Sequence, residues 1–136
     1  MPFVDTNILL YAVCPRADER AKSDAAREIL RRDDLVFSVQ VLQEFYVQAT
    51  RPTRTQPLSH EEATALIELW LRFPVAHLTV AVLRAALELK QRHRISYWDA
   101  AILEAARAAG CREVLSEDLN TGQNYDGLTV VNPFAP

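Results

Sequence analysis

The chain has 136 residues and a mass of 15.4 kDa, which is typical of one domain, and we expect a single domain over residues 1–136. Hydrophobic residues make up 49% and charged residues 24% of the sequence, which excludes a disordered, collagen-like or coiled-coil chain. The net charge of -3 argues against a general nucleic-acid coat protein, which is normally basic. It does not exclude a nuclease, because a bound metal ion supplies positive charge of its own.

The two cysteines, Cys14 and Cys111, are far apart and match no paired-ligand spacing. This excludes a disulfide framework and the usual structural zinc site, and it indicates a reducing compartment. The N-terminal segment MPFVDTNILLYAV has no basic leader, and no run approaches the ~18 apolar residues of a membrane helix. We therefore expect a cytoplasmic protein with no signal peptide and no membrane association.

Short apolar runs alternate with helical patterns along the chain. The predicted strands are residues 2–5, 35–38, 75–78, 113–116 and 128–131, and the predicted helices are about 7–13, 18–32, 39–50, 60–72, 79–93 and 97–109. Short continuous apolar runs are typical of buried parallel strands. Strands that alternate with helices predict an α/β fold, a three-layer α/β/α sandwich whose mostly parallel central sheet has about five strands.

Several helix ends carry recognisable signals. Ser59 and Glu62 fit a capping box, and Ser96 and Asp99 fit a similar pattern. Gly110 stands where the C-terminus of a helix favours a left-handed residue.

The topology predicts where a functional site would lie. Right-handed crossovers bring the loops after the strands to one edge of the sheet, where open α/β sheets bind ligands. Asp5 ends the first apolar run and Asp118 follows the strand 113–116 by two residues, so both are expected at this edge. Alternative roles are a helix cap for Asp5 and a turn for Asp118. Glu117 is an equally good candidate by composition.

Two further acids lie on predicted helices. Asp99 is in the first turn of the helix 97–109, and the helical period predicts that its carboxylate faces the sheet, although a cap is also compatible with this position. Glu44 falls on the polar side of the helix 39–50 together with Gln40, so periodicity predicts a solvated side chain.

Four short motifs occur in order along the chain. They are VDTN at 4–7, VLQEF at 41–45, SYWDAAI at 96–102 and LSED at 115–118, and the chain ends in YDGLTVVNPF at 125–134. Together they resemble the PIN-domain ribonucleases, above all the VapC-type toxins of bacterial and archaeal toxin–antitoxin pairs. The resemblance runs from residue 3 to about 134. It implies a PIN-like fold and a metal-dependent endoribonuclease that acts as the toxin of such a pair.

The resemblance also implies the site residues. The catalytic, metal-binding acids would be Asp5, Glu44, Asp99 and Asp118, and the supporting residues would be Thr6, Asn7 and Ser116. Clustered carboxylates repel one another and need a cation. The implied ion is Mg²⁺ or Mn²⁺, a hard cation that takes oxygen ligands, lowers the pKa of bound water and stabilises charge on the scissile phosphate.

The implied partners are RNA, a small VapB-type antitoxin and a second copy of the chain in a homodimer. Candidate RNA-binding residues are Arg16, Arg51, Arg54 and Arg94. Single-stranded or loop RNA is favoured because its bases are accessible. The helices 39–50 and 60–72, with Phe45, Tyr46 and Trp70, are candidate partner surfaces, and a role in the core is the alternative.

Two other function classes compete with the nuclease. A phosphotransferase would use Asp5 as a covalent nucleophile, but such enzymes typically have a second acid two residues later, where this chain has Asn7. A non-catalytic interaction module would bind a basic partner at the acidic edge, although all four acid positions of the motif are filled.

Overall fold

A computed structural model of the protein describes residues 1–13 and 16–135, so Cys14 lies outside the described residues. The strands are β1 (Phe3–Val4), β2 (Phe37–Ser38), β3 (Val75–Ala76), β4 (Glu113–Leu115), β5 (Asn124–Tyr125) and β6 (Leu128–Val131). The helices are α1 (Thr6–Val13), α2 (Arg20–Ile29), α3 (Val39–Ala49), α4 (His60–Trp70), α5 (Val80–His93) and α6 (Tyr97–Ala108), and a 3₁₀ turn (Ala17–Glu19) precedes α2.

The strands form a mostly parallel sheet. Four of them lie in the order β1-β4-β6-β5, in which only the β5–β6 pair is antiparallel, and β2 pairs with β3 in parallel. A bridge between Phe3 and Val36, with the Val4 amide donating to the Val36 carbonyl at 3.0 Å, joins β1 to the chain entering β2. The predicted α/β/α sandwich is confirmed, and β5 is a strand that the sequence analysis did not predict.

The core forms where apolar strand residues meet the inner faces of the helices. Phe3, Val114 and Val130 on three neighbouring strands are fully buried. Phe45 on α3 and Trp70 at the end of α4 are also buried and meet edge to face, with ring centroids 4.8 Å apart. These two aromatic residues therefore belong to the core and do not supply a partner surface.

The helix ends follow their sequence signals. Ser59 and Glu62 form the capping box through contacts of 2.9 and 3.0 Å, and the Ser96 hydroxyl accepts from the Asp99 amide at 3.0 Å. Gly110 follows α6 with a φ of 82°. Within the described ranges, no helix is long and apolar enough to cross a bilayer.

Replacing Gly110 tests this helix terminus. An L-residue in the left-handed region costs about 1–2 kcal/mol, so Gly110→Ala is expected to lower the free energy of unfolding by roughly that amount, measured by urea denaturation. Gly110→Asn is the matched variant and should lose less, because Asn tolerates this backbone conformation. Equal stability of the wild type and the Ala variant would contradict the assignment.

Candidate active site

Asp5 lies at the carboxyl edge of the sheet, between β1 and α1. Its amide donates to the Leu115 carbonyl at 3.0 Å, so the ladder between β1 and β4 continues into this residue. Its carboxylate Oδ1 accepts from the amide of Thr6, the first residue of α1, at 2.7 Å. The side chain is only 7% exposed. Asp5 therefore satisfies a donor at the start of the helix and also places a buried carboxylate at the edge.

Ser116 connects Asp5 to Asp118. It is fully buried directly after β4, and its hydroxyl donates to Asp5 Oδ2 at 2.7 Å. The Ser116 hydroxyl oxygen also accepts from the Asp118 amide at 3.1 Å and from Asn7 Nδ2 at 3.4 Å. Asn7 Nδ2 also donates to Asp118 Oδ2 at 3.1 Å. The loop after β4 therefore holds the exposed Asp118 beside the buried Asp5.

Glu44 reaches the same edge from α3. The Thr6 hydroxyl donates to Glu44 Oε2 at 2.7 Å, and Gln40 Nε2 donates to Oε1 at 3.0 Å. Glu44 is half-buried and Gln40 is buried, so the prediction of a solvated Glu44 is wrong. The polar side of α3 is turned toward α1 at this point, and its side chains bond to polar partners there.

Gln40 is a site residue that the sequence analysis missed. Its Nε2 donates to Glu44 and also to the Trp98 carbonyl on α6, at a distance of 3.5 Å. The available signal was the spacing of Gln40 and Glu44, which lie one helical turn apart and can meet on one face.

Asp99 completes the set from the first turn of α6. Burial raises its pKa, the carboxylates of Asp118 and Glu44 raise it further, and a hydrogen bond with Ser96 acts in the opposite direction. Burial likewise raises the pKa of Asp5, to about 6, against the hydrogen bonds from Ser116 and Thr6, and the same two carboxylates add to the increase. Glu44 and Asp118 are therefore close enough to act electrostatically on both Asp5 and Asp99.

The chemistry of this donor set suits a hard cation. The four acids present only carboxylate oxygens, which are the ligands that Mg²⁺ and Mn²⁺ favour. Among residues 1–13 and 16–135, no group of three or more His, Cys, Asp or Glu side chains is placed to hold a metal ion by direct contacts alone. Mg²⁺ typically keeps several waters and binds through one or two carboxylates. The arrangement fits an ion that is partly hydrated.

Glu117 points away from the acids. Its Oε1 accepts from the Tyr11 hydroxyl at 2.8 Å, and its Oε2 lies 3.0 Å from Lys22 Nζ. The ammonium of Lys22 lies 5.1 Å from the centroid of the Tyr11 ring and 5.9 Å from that of Phe134. The structure thus gives different roles to two acids that composition left equivalent. Asp118 joins the hydrogen-bond network around Asp5, whereas Glu117 anchors the loop after β4 to α1 and α2.

The four arginines proposed to bind RNA have varied environments. Arg16, Arg51 and Arg94 are exposed. Arg54 is half-buried, and its Nε donates to the Gln48 carbonyl at 2.8 Å near the end of α3. A role of these residues in binding RNA stays a prediction.

The profile of the PIN domain family matches residues 3–124, which include all four acids. The chain belongs to the PIN domain family. No curated protein matches this PIN domain significantly.

Solved structures with the same fold include a toxin–antitoxin complex from Klebsiella pneumoniae, with a TM-score of 0.71 and 18% identity over 98% of each chain. Mycobacterium tuberculosis VapC20, described as a Sarcin–Ricin loop cleaving toxin, has a TM-score of 0.67 and 22% identity over 87% of this PIN domain and 92% of its own chain. FitAcB from Neisseria gonorrhoeae has a TM-score of 0.61 and 17% identity over 98% of this chain and 99% of its own. At these identities, the likeness establishes the fold.

The raised pKa of Asp5 predicts how stability depends on pH without metal. Folding raises this pKa from 3.8 to about 6, so the folded state binds more protons than the unfolded state between these values. The free energy of unfolding should therefore fall as the pH rises through this window, by about 3 kcal/mol in total from this group. Asp5→Asn should remove most of the decline, measured by urea denaturation in EDTA.

The matched variant for this measurement is Asp24→Asn, which changes an exposed carboxylate on α2. It should keep the wild-type dependence on pH. The burial argument would be contradicted if the wild-type free energy of unfolding rose by about 3 kcal/mol between pH 4 and 6 instead of falling by that amount.

Ser116→Ala tests the hydrogen bond at the centre of the network. The variant leaves Asp5 Oδ2 without its donor, so the pKa of Asp5 should rise further, as followed by NMR titration of the side-chain carboxyl carbon. Unfolding at neutral pH should become easier by about 1–3 kcal/mol, because a buried acceptor is left unsatisfied. Ser23→Ala, at a buried serine on α2, should leave the titration of Asp5 unchanged.

Proposed function

We propose that this PIN domain is a metal-dependent endoribonuclease that hydrolyses RNA phosphodiester bonds, acting as the VapC-type toxin of a toxin–antitoxin pair. The observation that carries the proposal is the convergence of acids from separate parts of the chain. The Ser116 hydroxyl donates to Asp5 and accepts from the Asp118 amide, and the Thr6 hydroxyl next to Asp5 donates to Glu44. Burial raises the pKa of both Asp5 and Asp99, and the carboxylates of Glu44 and Asp118 add to both increases. Such a concentration of negative charge is stabilised by a divalent cation.

The likeness to solved structures supports the choice of substrate and partner. VapC20 is described as a toxin that cleaves the Sarcin–Ricin loop, and the Klebsiella pneumoniae structure is a toxin–antitoxin complex. We extend both features to this chain, with RNA as the substrate and a small VapB-type antitoxin as the partner. We expect the protein to act in the cytoplasm, where its RNA substrate is found.

In the proposed mechanism, Asp5, Glu44, Asp99 and Asp118 would hold Mg²⁺ or Mn²⁺ between them, one or two of them directly and the others through its bound waters. The ion, when bound, lowers the pKa of water and offsets charge on the scissile phosphate. The chain's own contribution is to fix the oxygens in advance. Ser116 orients Asp5 through a hydrogen bond of 2.7 Å, and Thr6 does the same for Glu44.

A phosphotransferase mechanism is less well supported. As a covalent nucleophile Asp5 would need a second acid two residues later, and this position is Asn7, whose Nδ2 donates to Asp118 Oδ2 at 3.1 Å. An amide does not take up and release a proton as a carboxylic acid does. The residues therefore favour a role of Asp5 as a ligand for a cation.

The antitoxin and a second copy of the chain both need a binding surface. An open apolar groove lies between α3 and α4, and its lining includes Val39, Leu42, Tyr46, Val47, Ile67 and Leu71. Val47 and Leu71 are 56% and 45% exposed. We propose this groove as a surface for the antitoxin or the homodimer, while the acidic edge would accept a basic residue of the antitoxin.

Hydrolysis of labelled single-stranded RNA tests the proposal. The wild type should cut in Mg²⁺ or Mn²⁺, and EDTA, Asp5→Asn or Asp99→Asn should each reduce the rate roughly a thousand-fold, because the ion supplies several kcal/mol of transition-state stabilisation. Circular dichroism should show that both variants stay folded.

Glu117→Gln and Asp118→Asn form a matched pair of adjacent substitutions. The Gln variant should retain most of the activity, since Glu117 faces Tyr11 and Lys22, whereas Asp118→Asn should lose much more. A wild type that cuts no RNA with either ion, or an Asp5→Asn variant with full activity, would refute the proposed function.

A further inference from the structure

Trp98 is the most exposed large hydrophobic side chain in the described part of the chain, at 65%, whereas the other tryptophan, Trp70, is 4% exposed. Tryptophan contributes more apolar area than most residues and is usually well buried. A single exposed apolar residue is common on protein surfaces, so its position decides whether it has a role.

The position of Trp98 links it to the acidic edge. It directly precedes Asp99, and the Ser96 cap that fixes the start of α6 also fixes its backbone. Its carbonyl faces Gln40 Nε2 at 3.5 Å, and the same nitrogen holds Glu44 at 3.0 Å. The residue that carries the exposed indole thus directly precedes Asp99 and is linked through Gln40 to Glu44.

The indole is also supported from the side. The ring of Tyr97 meets it edge to face, with ring centroids 5.1 Å apart and an angle of 77° between the planes. A contact of this kind limits rotation of the indole, and the residue still exposes 65% of its surface, so much of the ring is available for stacking.

Electrostatics favours a non-ionic contact at this place. The chain carries a net charge of -3, and the edge concentrates four carboxylates, so the phosphates of an RNA strand are repelled until a cation is bound. Proteins that rely on phosphate contacts for affinity are usually basic. Stacking of a base on an aromatic ring does not depend on charge neutralisation and tolerates any base sequence.

We propose that Trp98 is a stacking platform for an unpaired base of the RNA substrate, next to the phosphate that lies at the acidic edge. This inference rests on the proposed function, because it takes RNA as the substrate. The proposed site is otherwise built from acids, hydroxyls and amides, and Trp98 would add to it a residue that binds the nucleobase. It also favours single-stranded or loop RNA, since a paired base has no free face to offer.

The competing role for Trp98 is contact with a protein. Exposed apolar side chains also occur on α5, where Val80, Leu83 and Leu87 are 61%, 44% and 51% exposed. A protein interface would use the apolar area of the indole, and leucine can supply much of that area. A stacking platform needs an aromatic plane, which tyrosine supplies and leucine does not.

The test measures binding of short single-stranded RNA oligonucleotides in Ca²⁺, a divalent cation that takes carboxylate ligands and neutralises the acidic edge. The length of the oligonucleotides is checked after each measurement, so that the result does not depend on cleavage. Trp98→Leu should weaken binding roughly 5- to 150-fold, which is the range expected for one stacked base. Trp98→Tyr should retain most of the affinity, and Leu83→Ala should match the wild type. The dependence of affinity on salt should be the same in all four proteins, because no phosphate contact is removed.

Intrinsic fluorescence gives a second readout. Addition of RNA should quench wild-type emission, and Trp98→Leu should abolish the quenching because only the buried Trp70 remains. Equal RNA affinity of Trp98→Leu and the wild type would overturn the proposal. If light scattering also showed a changed oligomeric state in this variant, the indole would be assigned to a protein interface. Cleavage by the wild type, assayed separately in Mg²⁺, distinguishes failure of this inference from failure of the proposed function.

Discussion

Asp5 is almost completely shielded from water, and this burial raises the pKa of its carboxyl group, to which the carboxylates of Glu44 and Asp118 add a further increase. Each added negative charge at this edge makes the next one more costly. The rest of the site can be understood as a response to this repulsion. The donors that hold the acids are neutral groups: the hydroxyls of Thr6 and Ser116 and the side-chain amides of Asn7 and Gln40.

Neutral donors have a particular advantage in such a site. A lysine or arginine bonded to Asp5 would cancel its charge and compete with a metal ion for the same oxygens. A hydroxyl such as that of Ser116 fixes the orientation of the carboxylate and leaves most of its charge available. The protein thereby keeps a strong negative potential at the edge while limiting the movement of the side chains, which is the preorganisation that an electrostatic catalyst requires.

Much of the fold follows from sequence patterns, because buried parallel strands and amphipathic helices have distinct periods. Five strands and the helices lie close to their predicted bounds, and the topology alone places Asp5 and Asp118 at one edge. Glu44 could not be placed in this way. Helical periodicity separates apolar from polar side chains, and it cannot distinguish a polar face in water from one packed against α1, where the Thr6 hydroxyl donates to Glu44.

The short strand β5 shows a different kind of omission. Asp126 and Gly127 form the two-residue connection to β6 and have positive φ angles of 55° and 95°. Hairpin turns favour the Asp-Gly dipeptide, a signal that the sequence analysis did not use. The strand itself has only two residues, too few for an alternation pattern to emerge. Local turn chemistry was more informative here than hydrophobic pattern.

The placement of β5 also affects how the protein can associate with others. It occupies one border of the sheet, and the two-residue β3 occupies the border of the β2–β3 pair, next to Pro74, which has no amide hydrogen to donate. Short borders offer little free backbone for another chain to pair with. The sheet is thereby protected against indefinite growth by strand addition.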